Sequence, residues 1–355
     1  MKSCDKTAMK NINISSILRT FIINDQISQT DLANETGLKK ATVSNLVNYL
    51  LDNGLITETG EGKAGIKGGR KPRYLELDKQ NILAFGASIR GTNFKAGLYN
   101  LAGKTLWNSE MEFQRAHSTL WVPAIIEKIS KISAEKIKSD HVFLGAGVAI
   151  GGAYDPRDDR FLRFSLQEPV NDEKNIYIKK LLQEKLQDIP IITDDFPNAM
   201  ALGELWFGCA RQLSDFIYLQ LENLKATVLG NKTIFRGHGM YAGQVGSWRY
   251  GTEEMRPALI KGGFSTELLT DFCTNLLLSY APEKIILSRE NLPKSASIDL
   301  NGLNERLAAR FKEIDLNGFS DKIVEMGEFD QKDRALAAAA LVFDNYFQSN
   351  LLMGN

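Results

Sequence analysis

The N-terminal segment, residues 11–78, constrains the fold of this chain more than any other part of the sequence. Apolar residues at helical spacing predict a first helix, and Ser28 with Asp31 three positions later forms a capping box before a short second helix over Thr30–Thr36. Gly37 suits the tight turn that follows, and a third helix comes next. The buried side of this third helix is predicted to carry Val43, Leu46, Val47 and Leu50. Two helices joined by a short glycine turn indicate a helix-turn-helix.

The opposite side of the third predicted helix, together with the turn before it, is polar. It presents Lys39, Lys40, Thr42, Ser44, Asn45 and Asn48. Short polar side chains let a helix enter the major groove of DNA closely, where their amides and hydroxyls meet base edges and phosphates. The alternative is a small helical hairpin that only docks onto the rest of the chain.

A glycine-rich, basic hairpin follows the helix-turn-helix directly. Strands are predicted at Gly54–Glu58 and Arg73–Leu77, with a loop from Gly60 to Pro72 between them. Between positions 63 and 73 there are five basic residues and no acidic one, namely Lys63, Lys67, Arg70, Lys71 and Arg73. Glycines let the backbone approach a phosphate chain, and an arginine at the tip of such a wing can enter a narrow minor groove. A flexible linker to the next domain is the alternative interpretation.

These patterns predict a set of DNA contacts in the first 78 residues. The set comprises Thr30, Lys39, Lys40, Thr42, Ser44, Asn45, Asn48, Lys67, Arg70, Lys71 and Arg73. The whole chain of 355 residues carries 43 basic and 43 acidic residues, which argues against a histone-like protein that coats nucleic acid with its entire surface. Residues 1–78 hold 11 basic and 9 acidic residues, which leaves 32 and 34 for the remainder. The basic surplus of the head is therefore small, and positive charge is concentrated in the wing.

Composition narrows the class of protein further. Hydrophobic residues make up 43% of the chain, which excludes a disordered or fibrous protein. The three cysteines and three histidines are scattered, so neither a disulfide framework nor a cysteine-rich zinc site is expected. No segment has the apolar core of a signal peptide or the roughly 18 apolar residues of a membrane span. We therefore expect a cytoplasmic protein that does not contact the membrane.

Beyond position 78 the pattern changes to short strands alternating with helices, which predicts an α/β body. The pattern favours two lobes around a cleft. The expected divisions are a winged helix-turn-helix domain over residues 1–78, a first α/β lobe over 79–197 and a second lobe over 198–355.

Several motifs, in this order and spacing, carry a resemblance to a known family. They are Gly91-Thr92-Asn93, Gly145–Gly152, Asp155-Pro156, Asn198–Glu204 and Tyr241–Gly246. With the head in front of them, they resemble the transcriptional-regulator branch of the ROK family, which groups bacterial repressors with sugar kinases. The resemblance covers essentially the whole chain. It implies an actin/hexokinase-like (ribonuclease H-like) body, although the segment between Ser247 and Ala281 is shorter than the family usually has.

The chain departs from the kinases of that family where their chemistry takes place. Ser88 and Arg90 replace the acid and first glycine of the first phosphate loop, and Leu221–Thr227 has no glycine at the second. Ser288–Glu290 replaces a glycine pair near the adenine site. Phe196 stands at the position of the catalytic base, and phenylalanine cannot accept a proton. We therefore expect no enzyme activity, no catalytic residues and no cofactor.

The residues that bind sugar and zinc in the family are also changed. Gln244 and Ser247 stand where relatives have a glutamate for the sugar and a histidine for zinc, and no cysteine cluster follows, so no metal is expected. By resemblance, the former sugar cleft is lined by Gly152, Gln167, Asp195, Asn198, Gln244 and Ser247. These residues are the candidate effector contacts, and the alternative is that they only close turns of the fold. Trp248 either stacks on a sugar ring or packs into the core.

The sequence thus predicts a DNA-binding transcriptional regulator, a repressor of sugar-utilisation genes, whose kinase-degenerate body serves effector binding and dimerisation. Its expected partners are a double-stranded DNA operator, a sugar or sugar-derivative effector, and a second copy of the chain in a homodimer or higher homo-oligomer. Two alternatives remain open. One is an active sugar kinase with an appended DNA head, and the other is a ligand-independent regulator controlled by a protein partner.

Overall fold

The computed structural model describes residues 6–61, 73–114, 118–163, 177–290, 298–313 and 322–348. The chain divides into two compact units. The first comprises Met1–Val148, Ile176–Thr193 and Ala339–Asn355, and the second comprises Ala149–Asn175 and Asp194–Ala338. None of the helices in the described ranges is long and apolar enough to cross a lipid bilayer.

The first compact unit begins with the head. Its elements are α1 (Lys6–Ile23), β1 (Ile27–Ser28), α2 (Gln29–Thr36), α3 (Lys40–Asp52), β2 (Ile56–Glu61) and β3 (Arg73–Leu77). The three strands form an antiparallel sheet in the order β1-β3-β2. The predicted apolar stripe of α3 is buried, together with Leu32 of α2 and Ile17, Leu18 and Phe21 of α1. Burial of these faces holds the three helices together.

Local signals determine where α2 begins and ends. The Ser28 hydroxyl accepts a hydrogen bond from the backbone N–H of Asp31 at 3.2 Å and donates one to the Asp31 carboxylate at 2.6 Å. Gly37 adopts the left-handed backbone conformation, with φ at 69°, which a side chain would disfavour. The predicted cap and turn are therefore confirmed, and α2 starts one residue earlier than the sequence predicts.

A five-stranded sheet follows the head. The elements in this part of the chain are β4 (Ile82–Arg90), β5 (Asn93–Asn100), β6 (Thr105–Glu112), α4 (Ser118–Glu135), β7 (Val142–Ile150), the hairpin strands β8 (Ala153–Asp155) and β9 (Arg160–Arg163), α5 (Ile178–Lys185) and β10 (Ile191–Asp195). The strand order is β10-β7-β4-β5-β6, and β4, β5 and β6 form an antiparallel meander. β4 is buried along almost its entire length because it lies at the centre of the sheet.

The second compact unit contains another five-stranded sheet. Its elements are α6 (Phe196–Phe207), β11 (Phe216–Gln220), β12 (Lys225–Gly230), β13 (Thr233–Ile234), β14 (Arg249–Tyr250), β15 (Glu253–Glu254), α7 (Met255–Lys261), α8 (Thr266–Tyr280), β16 (Lys284–Leu287), α9 (Leu300–Glu313), β17 (Val324–Met326) and α10 (Arg334–Gln348), whose later residues belong to the first unit. The order is β13-β12-β11-β16-β17. β11, β16 and β17 run parallel, whereas β11 and β12 form an antiparallel hairpin.

The two faces of the β11–β12 hairpin differ in chemistry. Apolar residues on one face join the core of the second unit, and they are Ile217, Leu219, Ala226 and Val228. The other face carries Tyr218 opposite Thr227 and Gln220 opposite Lys225. Helix α6 contacts both strands. The hairpin therefore brings polar side chains to the polar N-terminus of α6.

Candidate nucleic-acid interface and effector site

The N-terminus of α3 has no side-chain cap. Lys39 is its N-cap residue, and the side chain of Lys39 makes no capping hydrogen bond. Because the first N–H groups of a helix lack intrahelical partners and carry the positive end of its dipole, an uncapped start attracts a phosphate. Both Lys39 and Lys40 are exposed at this end. α2 differs, because Ser28 caps it.

The predicted contacts on the two helices lie at the surface to different degrees. Asn45 and Asn48 are exposed on α3, Thr30 is exposed on α2, and Thr42 and Ser44 are half-buried. Tyr49 is a further exposed residue of α3, and the ammonium of Lys10 lies 3.9 Å from the centre of its ring.

Three of the four predicted wing contacts lie outside the described residues, and only Arg73 lies within them. Lys67, Arg70 and Lys71 lie outside the described residues. Arg73 begins β3, and its guanidinium donates to the two carboxylate oxygens of Glu58 at 2.9 and 3.2 Å. Both side chains of this pair are more than two-fifths exposed, so the ion pair is weak and a DNA phosphate can exchange with Glu58.

In the second unit, a polar cluster surrounds the start of α6. Asp195 is the N-cap and accepts a hydrogen bond from the Asn198 N–H at 3.1 Å. The Asn198 amide donates to the Asp194 carboxylate at 2.9 Å, and its carbonyl accepts from the Thr227 hydroxyl at 2.9 Å. Both ends of the Asn198 side chain are thereby used within the protein.

Two cations complete this cluster. Lys225 of β12 forms an ion pair with Asp195, and Arg236 contacts both carboxylate oxygens of Asp194. Burial raises the pKa of Asp195, and the nearby charge of Lys225 opposes that effect. We call the six residues Asp194, Asp195, Asn198, Lys225, Thr227 and Arg236 the α6 polar network. Its four charges cancel in pairs.

Phe196, which the resemblance predicts at the position of the kinase base, is buried against another ion pair. Phe196 is 2% exposed, and the guanidinium carbon of Arg334 lies 5.6 Å from the centre of its ring. Arg334 in turn donates to the two carboxylate oxygens of Glu290 at 2.5 and 2.9 Å. Arg289, next to Glu290, donates to the backbone carbonyl of Gly327 after β17. Protein side chains therefore bridge the carboxyl ends of β16 and β17, where open α/β sheets bind ligands.

The segment that contains Gln244 packs beside the β11–β12 hairpin. Ala226 donates its N–H to the Gly243 carbonyl at 2.9 Å, and the Gly246 N–H donates to the Leu224 carbonyl at 2.8 Å. A Cβ atom at Gly243 would lie 1.7 Å from the Ala226 carbonyl oxygen, so only glycine fits there. The close packing holds Gln244 near the hairpin.

The candidate effector residues differ in their exposure and in their contacts. The structure joins Asp195 and Asn198 in one network, but both are engaged by protein groups. Gln244 is half-buried, whereas Gly152 and Ser247 are exposed, and Gln167 lies outside the described residues. Trp248 packs edge-on against Phe272 at 5.9 Å beside the core, which favours packing over sugar stacking.

Sequence reasoning missed the partners that complete this region, namely Gln220, Lys225, Thr227 and Arg236. A weak signal was present, because a lysine and a threonine alternate with apolar residues in β12. Lys225, Thr227 and Arg236 pair with residues 30, 29 and 42 positions away, and no local pattern reveals such pairs.

Comparison with known proteins finds a family match in the head and similarity to curated repressors. Residues 15–65 match a family model described as the MarR family. A xylose repressor from Caldicellulosiruptor bescii is 31% identical over 245 residues, which cover 68% of this chain and 59% of that repressor. The chain therefore spans less than two thirds of the length of this curated relative.

Solved structures extend the likeness to the body. A ROK family transcriptional regulator, described as a homologue of the Escherichia coli MLC protein, matches 98% of this chain and 99% of its own with a TM-score of 0.71 at 15% identity. A ROK hexokinase from Thermus thermophilus matches 74% of this chain and 98% of its own with a TM-score of 0.56 at 14% identity. The predicted fold class, a winged helix-turn-helix with an actin/hexokinase-like body, is confirmed. These likenesses support the resemblance of the chain to the transcriptional-regulator branch of the ROK family.

Proposed function

We propose that this chain is a DNA-binding transcriptional repressor of sugar-utilisation genes and that its body binds a sugar or sugar derivative. The observation that carries the proposal is the start of α3, where an uncapped helix N-terminus, Lys39 and Lys40 precede exposed Asn45 and Asn48. The similarity to a xylose repressor supports the sugar response. The MarR-type match over residues 15–65 supports the DNA-binding head.

In this proposal the head contacts DNA through two kinds of residue. Lys39, Lys40 and the wing residues Lys67, Arg70, Lys71 and Arg73 bind phosphates, whereas the polar side chains of α3 read base edges. A homodimer would place two heads on a palindromic operator with half-sites one or two DNA turns apart. The domain limits at residues 78 and 197, and a location in the cytoplasm, are part of the same proposal.

Binding of labelled promoter DNA from the chain's own operon tests the DNA assignment. We expect Asn45→Ala to weaken operator binding by about 1–3 kcal/mol and to relax specificity at one base pair. The double variant Lys39→Ala/Lys40→Ala should weaken binding to all sequences and reduce the slope of log affinity against log salt by about one for each phosphate that is no longer neutralised. Asn108→Ala, which removes an exposed amide from β6, is the matched control. Unchanged operator binding by both head variants would contradict the assignment.

We also infer that the body does not transfer phosphate. Phe196 has no basic atom and is buried beneath Arg334, and Asp195 is already paired with Lys225. In addition, Ser88 is buried in β4 at the position of a metal-binding acid. A coupled ATPase assay over hexoses, pentoses and amino sugars tests this inference. Sugar-dependent turnover would favour the alternative, a kinase with a DNA-binding head.

A further inference from the structure

The side chain of Gln220, the last residue of β11, contains a buried hydrogen-bond acceptor that no residue in the described ranges engages. The side chain is 1% exposed, and within the described parts of the chain its Oε1 atom has no hydrogen-bond partner. Burying a carbonyl oxygen without a donor costs free energy, so folded proteins almost always satisfy such atoms. We therefore expect a group from outside the chain to donate a hydrogen bond to this buried acceptor.

The strand register shows where this side chain points. Gln220 lies opposite Lys225 in the antiparallel hairpin, and residues opposite one another project from the same face of a sheet. Lys225 and Thr227 on that face both contact α6 or its N-cap, whereas Leu219 and Leu221, the chain neighbours of Gln220, join the apolar core on the other face. The Gln220 amide therefore faces the α6 polar network.

The ion pairs within the α6 polar network restrict the charge of a ligand that could bind there. Asp194 is paired with Arg236, Asp195 is paired with Lys225, and Asn198 is engaged at both ends. A charged ligand would have to break one of these buried ion pairs, whereas a neutral one would not. The Lys225 and Arg236 side chains are 14% and 34% exposed, so the network reaches solvent at these two cations.

We propose that Gln220 is an effector contact, and that its side-chain amide hydrogen-bonds a hydroxyl group of a neutral sugar bound at the edge of the α6 polar network. A hydroxyl both donates and accepts hydrogen bonds, so it satisfies the amide in either orientation. The inference rests on the proposed sugar response and adds to it a contact residue and a ligand class. It also explains why Asp195 and Asn198 are occupied by protein groups, since in this arrangement they support the site and do not themselves hold the ligand.

Gln220→Met tests the proposal in the full-length chain, because methionine has a similar length but no hydrogen-bonding amide. We measure thermal unfolding with and without D-xylose, D-glucose or N-acetyl-D-glucosamine, and with D-glucuronate and inorganic phosphate as charged probes. Since the variant loses no protein hydrogen bond at Oε1, its melting temperature without ligand should equal or exceed that of the wild type. The apparent affinity for the neutral sugar, taken from the stabilisation it produces, should fall at least about tenfold.

Ser133→Ala is the matched control, since it also removes a buried side-chain oxygen that lacks a partner within the described residues. It lies on α4 in the first compact unit, and it should leave the sugar-induced shift unchanged. A Gln220→Met variant that unfolds earlier without ligand and keeps the full sugar shift would overturn the proposal, because the amide would then have a structural partner such as an ordered water.

Two further outcomes separate this inference from the proposed function. If none of the three neutral sugars stabilises the wild type, or if only a charged probe does, the Gln220 assignment is wrong even when operator binding is intact. If sugars stabilise the wild type but not Gln220→Met, and the wild type does not bind its operator, the Gln220 assignment holds while the DNA-binding proposal fails.

Discussion

The buried ion pair between Glu290 and Arg334 provides the sharpest stability prediction. The two side chains are 0% and 6% exposed, and Arg334 binds both carboxylate oxygens. Arg334→Met would remove the guanidinium that pairs with the buried Glu290 carboxylate. We expect the free energy of unfolding to fall by about 3–5 kcal/mol, which is the usual cost of removing one partner of a buried pair. Loss of the cation–π contact with Phe196 adds about 1 kcal/mol.

Removing both charges should restore most of this stability. In Arg334→Met/Glu290→Leu no charge remains to be desolvated, so we expect the double variant to lie within about 2 kcal/mol of the wild type. The coupling energy in the double-mutant cycle then approaches the cost of the single arginine substitution. The exposed pair of Arg160 and Asp158 provides a control, and Arg160→Met should cost less than about 1 kcal/mol.

Urea unfolding followed by tryptophan fluorescence measures these values. Of the four tryptophans, Trp206 and Trp248 lie in the same compact unit as the ion pair, so the total emission includes a signal from the relevant transition. A loss below about 1 kcal/mol in Arg334→Met, or single-variant costs that simply add in the double variant, would refute the reasoning.

Three other substitutions test the local physics. Because burial raises the pKa of Asp195, its folded form holds a proton more tightly than the unfolded form, and stability falls as pH rises from the ordinary Asp range through the raised pKa. Lys225→Met removes the opposing charge, so urea unfolding from about pH 4 to pH 8 should show a steeper fall, and a parallel profile would argue against the pairing. Gly243→Ala places a methyl group against the Ala226 carbonyl at a positive φ, so we expect a loss above about 2 kcal/mol, detectable as a lower urea midpoint. Gly37→Ala meets no atom within 4 Å, so it should cost only about 1 kcal/mol of backbone strain, and a larger loss would indicate an unforeseen clash.

The head was predicted well because its signals are local. Ser28, Asp31 and Gly37 act within one helical turn, and each determines a cap or a turn almost independently of the rest of the chain. The apolar stripe of α3 follows from helical spacing alone. The contact residues of the wing remain a prediction, because Lys67, Arg70 and Lys71 lie outside the described residues.

The effector contacts remain a prediction, because resemblance indicates positions and not their surroundings. Asp195 and Asn198 were assigned to a ligand, and the structure places both in hydrogen bonds with protein groups. No sequence pattern marks Gln220, since a glutamine at the end of an apolar strand has no distinctive spacing. Only the structure shows that its carbonyl oxygen is buried and lacks a partner among the described residues.

The elements of the head and the α/β character of the body could be predicted from the sequence. So could the lack of a proton acceptor at position 196, which is a phenylalanine. These properties depend on residue type and on spacing within a few turns of chain. Only the tertiary structure decided that Lys225 pairs with Asp195, that Arg334 pairs with Glu290, and that the Gln220 amide faces the polar network. The two ion pairs join residues that the chain separates by 30 or more positions. They depend on strand register and helix packing, which follow from burial over the whole unit and from no single motif.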